Sequence, residues 1–495
     1  METIYISQYK RSLICTLFCC LLLTACSWNV RQPENASVQE EEPEIFPDYR
    51  DVTVPVNISP LNFRLTRECE HQYVLITGEK GGRLECDGER SLRLDPDAWR
   101  KLLEENAGGT LTLVCSSQEK DGWKTWKPFQ IHVDERPIDS HLVYRLIEPG
   151  YEKWHIVGIY QRDLESFDEK VIIRNDMTGY NCMNCHAFCM NDPNQMMLHM
   201  RAVHDGTYII RGKEIERLKT KTKQTISNLT YPYWHPSGKY ITTSVNDIKQ
   251  FFHAVKEKKM EVFDLESDVV VYDVEQHKIL SAASLITKDA FETFPAFSPD
   301  GKWLYFCSAP ARKMPAEYDK VRYHICRVAF DAGKGTLQLP VDTVVRADSL
   351  SYTFPRISPD SRFLMYTETA YGQFPIWHKD AEIRMLELET HQPVDMTSLN
   401  SADTESYHSW SSQSDWVVFS SRRDNGLYTL PYICRIGVDG HPAKPFLLPQ
   451  EDPEKYDYQL YSYNLPELVT GEVTVDPYAL QQKALNGTAE QISFE

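Results

Sequence analysis

The chain has 495 residues, 42% of them hydrophobic and 12% aromatic, with 71 acidic against 53 basic side chains and a formal net charge of −18. A surface this acidic repels phosphate backbones and anionic lipid headgroups, which argues against nucleic acid as a partner. A chain of this length holds two or three domains, or one large repeat architecture with an added module.

At the N-terminus, Lys10 and Arg11 precede an apolar run, Leu13 to Leu23, that is too short to span a bilayer comfortably. It ends in Leu23-Thr24-Ala25-Cys26, small residues followed by a cysteine, which resembles a bacterial lipobox. The resemblance implies cleavage before Cys26, diacylglycerol on its thiol and a lipid anchor in the cell envelope, at the periplasmic face or the outer membrane. Residues 1–25 are then a signal peptide. Residues 26–45, polar and rich in Glu, Gln and Pro, are expected to be a tether with too little apolar content to fold. Nine cysteines lie beyond Cys26, and an oxidising compartment predicts disulfides among them, with a pairing the sequence does not give.

From 46 to 138 the text is strand-like. Val52, Val54, Val56 and Ile58 alternate with polar residues, and Tyr73–Ile76, Leu111–Val114 and Phe129–Val133 follow between turns. One helix fits Asp95 to Glu105, with Asp95 as its cap and Pro96 at its first position. A small β-sandwich is the expected module.

Four later segments repeat one another: Tyr231-Pro-Tyr-Trp-His-Pro-Ser-Gly, Phe294-Pro-Ala-Phe-Ser-Pro-Asp-Gly, Phe354-Pro-Arg-Ile-Ser-Pro-Asp-Ser and Tyr407-His-Ser-Trp-Ser-Ser-Gln-Ser. Each combines an aromatic-led strand, a polar turn and a second strand that begins on an aromatic residue. A lone hairpin cannot bury its apolar face, so such units stack side by side. The segments resemble the TolB-like, WD-type propeller family. That resemblance implies a mainly β chain with a propeller of six to eight blades over 139–478, extending weakly back to Tyr144–Tyr160, and a C-terminal tail over 479–495.

Between these parts lies Tyr180-Asn-Cys182-Met-Asn-Cys185-His186-Ala-Phe-Cys189. Cys-x-x-Cys-His resembles the haem-attachment motif of c-type cytochromes, in which two thiols one helical turn apart bind the haem vinyl groups and the adjacent imidazole ligates iron. The resemblance implies covalent haem c on Cys182 and Cys185, with His186 as the proximal metal ligand, in a segment 176–206 inserted into the propeller. His199 is the first candidate for the opposite axial position, with Met196 or Met197 the second. The same residues leave other readings open. Cys182, Cys185, His199 and His204 give C-x2-C-x13-H-x4-H, a spacing close to a zinc site. A thioredoxin-like pair or a disulfide involving Cys189 are further alternatives.

No Gly-x-Ser-x-Gly elbow, P-loop or dinucleotide fingerprint is present in the sequence. Two functional expectations follow, ahead of a third, an enzyme that is haem-based or has its active site in the propeller channel, for which no catalytic set is visible. The first is an anchored haem protein that transfers electrons or docks a protein redox partner in the envelope. The second is a non-enzymatic propeller that binds protein or glycan, with a structural zinc or disulfide at the cysteine tract.

Overall fold

A hydrophobic strand pair buries one face only when another sheet covers it, and here six sheets cover one another in a ring. The computed structural model describes residues 30–148, 155–253, 260–280 and 285–494; the expected signal peptide and lipidation site, residues 1–26, lie outside the described residues. Among them, six sheets follow in chain order, each led by one inner strand: Ser462–Val469 in blade 1, Cys182–Cys189 in blade 2, Thr230–Trp234 in blade 3, Ala290–Phe297 in blade 4, Ser351–Ile357 in blade 5 and Glu405–Trp410 in blade 6. The protein is therefore a six-bladed β-propeller, the lowest count expected.

Blade 1 joins the two ends of the propeller. Its inner strand comes from the far end of the chain and pairs antiparallel with His141–Ile147, so the ring is closed by backbone hydrogen bonds. The early stretch around Tyr144 to Tyr160 is thus a full blade, with His141–Ile147 paired to Val157–Asp163. Segment 176–206 is not an insertion. Cys182–Cys189 and Asp192–Arg201 are the inner pair of blade 2, continued by Gly206–Arg211 and Glu214–Lys219.

The tail also has structure. Its helix Pro477–Asn486 is capped by the Asp476 carboxylate and buries Leu480 and Ala484 against blades 1 and 2. Glu490–Gln491 and Ser493–Phe494 then pair parallel with the outer strands of blades 2 and 3.

Before the ring, residues 30–138 form a module of their own. Seven strands make one branched sheet, because Thr110–Glu119 pairs with Gly122–Thr125 at one end and Phe129–Val133 at the other, and Ile45–Phe46 pairs with Arg64–Leu65 in a second, two-stranded sheet. The helix Pro96–Glu105 covers it through Trp99, Leu102 and Leu103, and Asp95 caps the helix by accepting from the Ala98 amide. The strand beginning at Val52 stops at Val54, before Pro55. Residues 30–45 are not a free spacer. Ser37–Val38 adds as a parallel strand to Lys124–Thr125, a docking made by main-chain bonds that needs no apolar side chains.

The module and blades 5, 6 and 1 share one apolar core. Polar bonds fix the orientation: the Ser412 amide and hydroxyl donate to Asp139, and Arg435 pairs with Asp134. The eight cysteines whose side chains are described are all free thiols, six of them buried, so the expected disulfides do not form among them. No helix among the described residues is long and apolar enough to cross a membrane.

Candidate functional site

Every inner strand carries the same irregularity. In blade 3, Thr230 faces Ser244 and Tyr233 faces Thr242, so Tyr231 and Pro232 together oppose one residue. The same two-against-one bulge falls at Phe294-Pro295, Phe354-Pro355, Tyr407-His408 and Leu465-Pro466. Tyr231, Phe294, Phe354, Tyr407 and Leu465 all take positive φ, between 47° and 54°. That conformation is unfavourable for residues with a β-carbon, and here it turns the side chain toward the propeller axis. The rings then stack around the channel. Phe294 lies 4.0 Å from Phe354 and 4.3 Å from Tyr231 between centroids, and Phe354 lies 5.1 Å from Tyr407. Together these rings plug the channel.

Above the plug opens a funnel of about 200 Å³. Its floor includes Tyr231, Tyr407 and Leu465, and Phe374 and Trp377 add aromatic wall. Arg145, Arg201 and Arg422 face it, against a single carboxylate among the described residues, Glu148. Arg422 is buried over the Trp377 ring at 3.8 Å and donates through Nε to the Ile376 carbonyl at 2.7 Å. A guanidinium-rich mouth on a chain of net charge −18 is a local inversion of sign.

Blade 2 has the sixth bulge. Asn184 faces His199 and Ala187 faces Met197, which leaves Cys185 and His186 opposite Leu198. Cys185-His186-Ala187-Phe188 therefore occupies the register of Phe294-Pro295-Ala296-Phe297, and His186 sits where four blades have proline and blade 6 has His408. The two histidines share an environment. Both are buried with no well-formed hydrogen bond to either ring nitrogen, and burial pushes each imidazole down to about 3, a neighbouring arginine adding to the effect and backbone contacts opposing it weakly. His408 has no cysteine motif, so the buried state of His186 follows from its place in the blade.

The residues as arranged do not fit a c-type haem. The motif is a bulged strand, not a helical turn. Cys182 faces the funnel, whereas His186 packs between blades 1 and 2 against Phe188 and does not line that cavity. His199 lies on the next strand, where its Nδ1 shares a hydrogen bond with the Thr207 hydroxyl at 3.0 Å, and burial lowers it to about 3. Met196 joins the core between blades 1 and 2 and Met197 the core between blades 2 and 3, both as packing. The funnel is also smaller than the space drug-sized ligands fill, and a porphyrin is larger than most of these. Zinc finds no assembled site either: among the described residues no three His, Cys, Asp or Glu side chains are arranged to hold a metal.

Sequence reasoning missed both the sixth repeat and the arginines. The repeat was open to recognition, because Cys185-His-Ala-Phe-Cys-Met-Asn-Asp192 aligns with Phe294-Pro-Ala-Phe-Ser-Pro-Asp-Gly301 once a histidine is allowed at the proline position, as in Tyr407-His408. The arginines carry no local signal; they converge from blades 1, 2 and 6 only in the closed ring.

No protein-family model matches the sequence, and no curated protein matches it either. Among solved structures, TolB from Acinetobacter baumannii is 12% identical, with a TM-score of 0.43 over 76% of this chain and 85% of its own. An oligogalacturonate lyase from Vibrio parahaemolyticus is 11% identical, with a TM-score of 0.34 over 57% of this chain and 84% of its own. A prolyl endopeptidase is 11% identical with a TM-score of 0.33 over 62% of this chain, which spans 42% of that protein's length. The propeller assignment rests on the strand pairing of this chain itself.

Proposed function

We propose that the chain is an exported envelope protein, lipid-anchored at Cys26, whose propeller binds a small ligand in the funnel above its aromatic plug. The observation that carries this reading is the plug: it turns an open channel into a blind site with an aromatic floor and polar walls, the form small-molecule sites take. The reading favours the binding-module expectation over electron transfer, because Cys182, His186 and His199 do not converge; the side chain of Cys185 lies outside the described residues.

Crystals soaked with a fragment library test the site. Fragments are expected against Tyr231, Tyr407 and Trp377; fragments found only on the outer blade surfaces would overturn the reading. Intact mass of protein made with c-type cytochrome maturation factors is expected to show unmodified Cys182 and Cys185, and covalent haem there would replace this function with electron transfer. Metabolic labelling with a radiolabelled fatty acid, lost in Cys26→Ala, tests the anchor.

A further inference from the structure

We infer that the ligand carries an anionic group, a carboxylate or a phosphate, and that Arg145 receives it; this rests on the funnel being the binding site. Arg145 comes from the second strand of blade 1 and is 8% exposed, yet it lines the cavity. All its bonds go to neutral groups. Nη1 donates to the Met183 carbonyl at 3.3 Å and to Asn184 Oδ1 at 2.8 Å, and Nη2 reaches the Asn464 side-chain oxygen at 3.2 Å in that amide's favoured orientation. Nε has no partner.

Elsewhere two partly buried arginines pair with carboxylates, Arg423 with Glu405 at 3.1 Å and Arg435 with Asp134, whereas the buried Arg162, like Arg145, bonds only neutral oxygens. A guanidinium withdrawn from water without a counter-charge is expensive to keep, and the cost is recovered when an anion binds. The planar fork of Arg145 is held in place by Asn184 and Asn464, so little side-chain entropy remains to be lost on binding. Arg201 and Arg422 add positive potential at the same cavity, and Glu148, the one carboxylate lining it among the described residues, is engaged by the His155 amide at 2.8 Å. The aromatic floor accepts a flat or apolar body attached to the anion.

Isothermal titration with three probes of one shape tests this: phenylacetate and phenyl phosphate as anions, and phenylacetamide as the neutral counterpart, in a low-salt buffer free of phosphate. Both anions are expected to bind about tenfold or more tightly than the amide, with the difference shrinking as salt is raised. In Arg145→Gln most of the preference should be lost, a larger loss than in Arg201→Gln. Equal binding of all three probes by the parent protein overturns the inference without any variant, so a folding defect in Arg145→Gln cannot shelter it. Arg201→Gln, a partly exposed position, should reduce the preference only in part. Failure of all three probes to bind would contradict the funnel as a binding site, a separate outcome from binding without charge preference.

Discussion

Phe294 is where the bulge, the plug and the backbone conformation meet, so truncating it tests all three. Its side chain is 1% exposed and stacks on Phe354 and Tyr231, and its φ is +47°. Phe294→Ala removes a buried ring and should cost about 3–5 kcal/mol. That lowers the calorimetric midpoint by about 3–5 °C in a chain of this size. The sharper prediction concerns Phe294→Gly. In an ordinary strand, glycine is less stable than alanine by roughly 0.5–1 kcal/mol. At positive φ the alanine β-carbon costs about 1–2 kcal/mol that glycine avoids. The order should therefore reverse, with Phe294→Gly equal to or more stable than Phe294→Ala by up to about 1 kcal/mol. Phe306, in the next strand of the same blade and also 1% exposed, supplies the ordinary control, where alanine should be the more stable. Urea unfolding followed by calorimetry on the four variants decides it. A glycine penalty at 294 equal to that at 306 would refute the left-handed bulge.

Three further outcomes are expected. Burial pushes Glu467 and Glu292 up to about 8 and Asp264 to about 7, so these groups hold protons in the folded chain that the unfolded chain releases. Stability should rise as pH falls from about 8 toward 6.5, then level below 6.5 as the unfolded chain protonates His186, His199 and His408, which burial keeps neutral when folded. Glu467→Gln should flatten the alkaline limb, and an unchanged slope would count against it. Glu261 behaves oppositely: burial alone would raise it, but bonds from His378, Tyr371 and His253 hold its carboxyl below the ordinary range, so its contribution is present above about pH 4.5 and lost as pH falls further. Glu261→Gln should remove acid sensitivity in that window, seen in a melting series from pH 5 to 3. Finally, of the eight described cysteines, Cys69 and Cys182 are the partly exposed ones and should react first with a maleimide in the native protein, the buried six only after unfolding.

The propeller was legible because its repeat is written in residues whose conformational needs are local. An aromatic residue, then proline, then the Ser-Pro-Asp-Gly turn specify bulge and hairpin within one segment, and the Ser298 hydroxyl bonding Asp300 at 2.6 Å shows the turn closing as its residues require. Blade 2 was hidden because Cys185-His186 replaces aromatic-proline, and a Cys-x-x-Cys-His string reads as chemistry before it reads as a strand. Blade 1 was hidden for another reason: its inner strand lies more than 300 residues from its neighbour, a pairing that no local pattern announces. The docked segment at Ser37–Val38 escaped because main-chain pairing leaves no hydrophobic signature. The funnel arginines escaped for the same reason as blade 1, since only ring closure brings Arg145, Arg201 and Arg422 to one cavity.

The central claim is that Cys185-His186 is the second blade's copy of the aromatic-proline bulge, and His186→Pro tests it most directly. A proline inside a paired strand ordinarily costs about 3 kcal/mol or more by removing a ladder bond. At this bulge four other blades already carry proline, at Pro232, Pro295, Pro355 and Pro466. Thermal unfolding of His186→Pro should show a midpoint within about 2 °C of the parent or above it, while Met183→Pro, at a regular ladder position of the same strand, should lose the fold. A fall in the His186→Pro midpoint as large as that of Met183→Pro would contradict the account and return His186 to a role of its own.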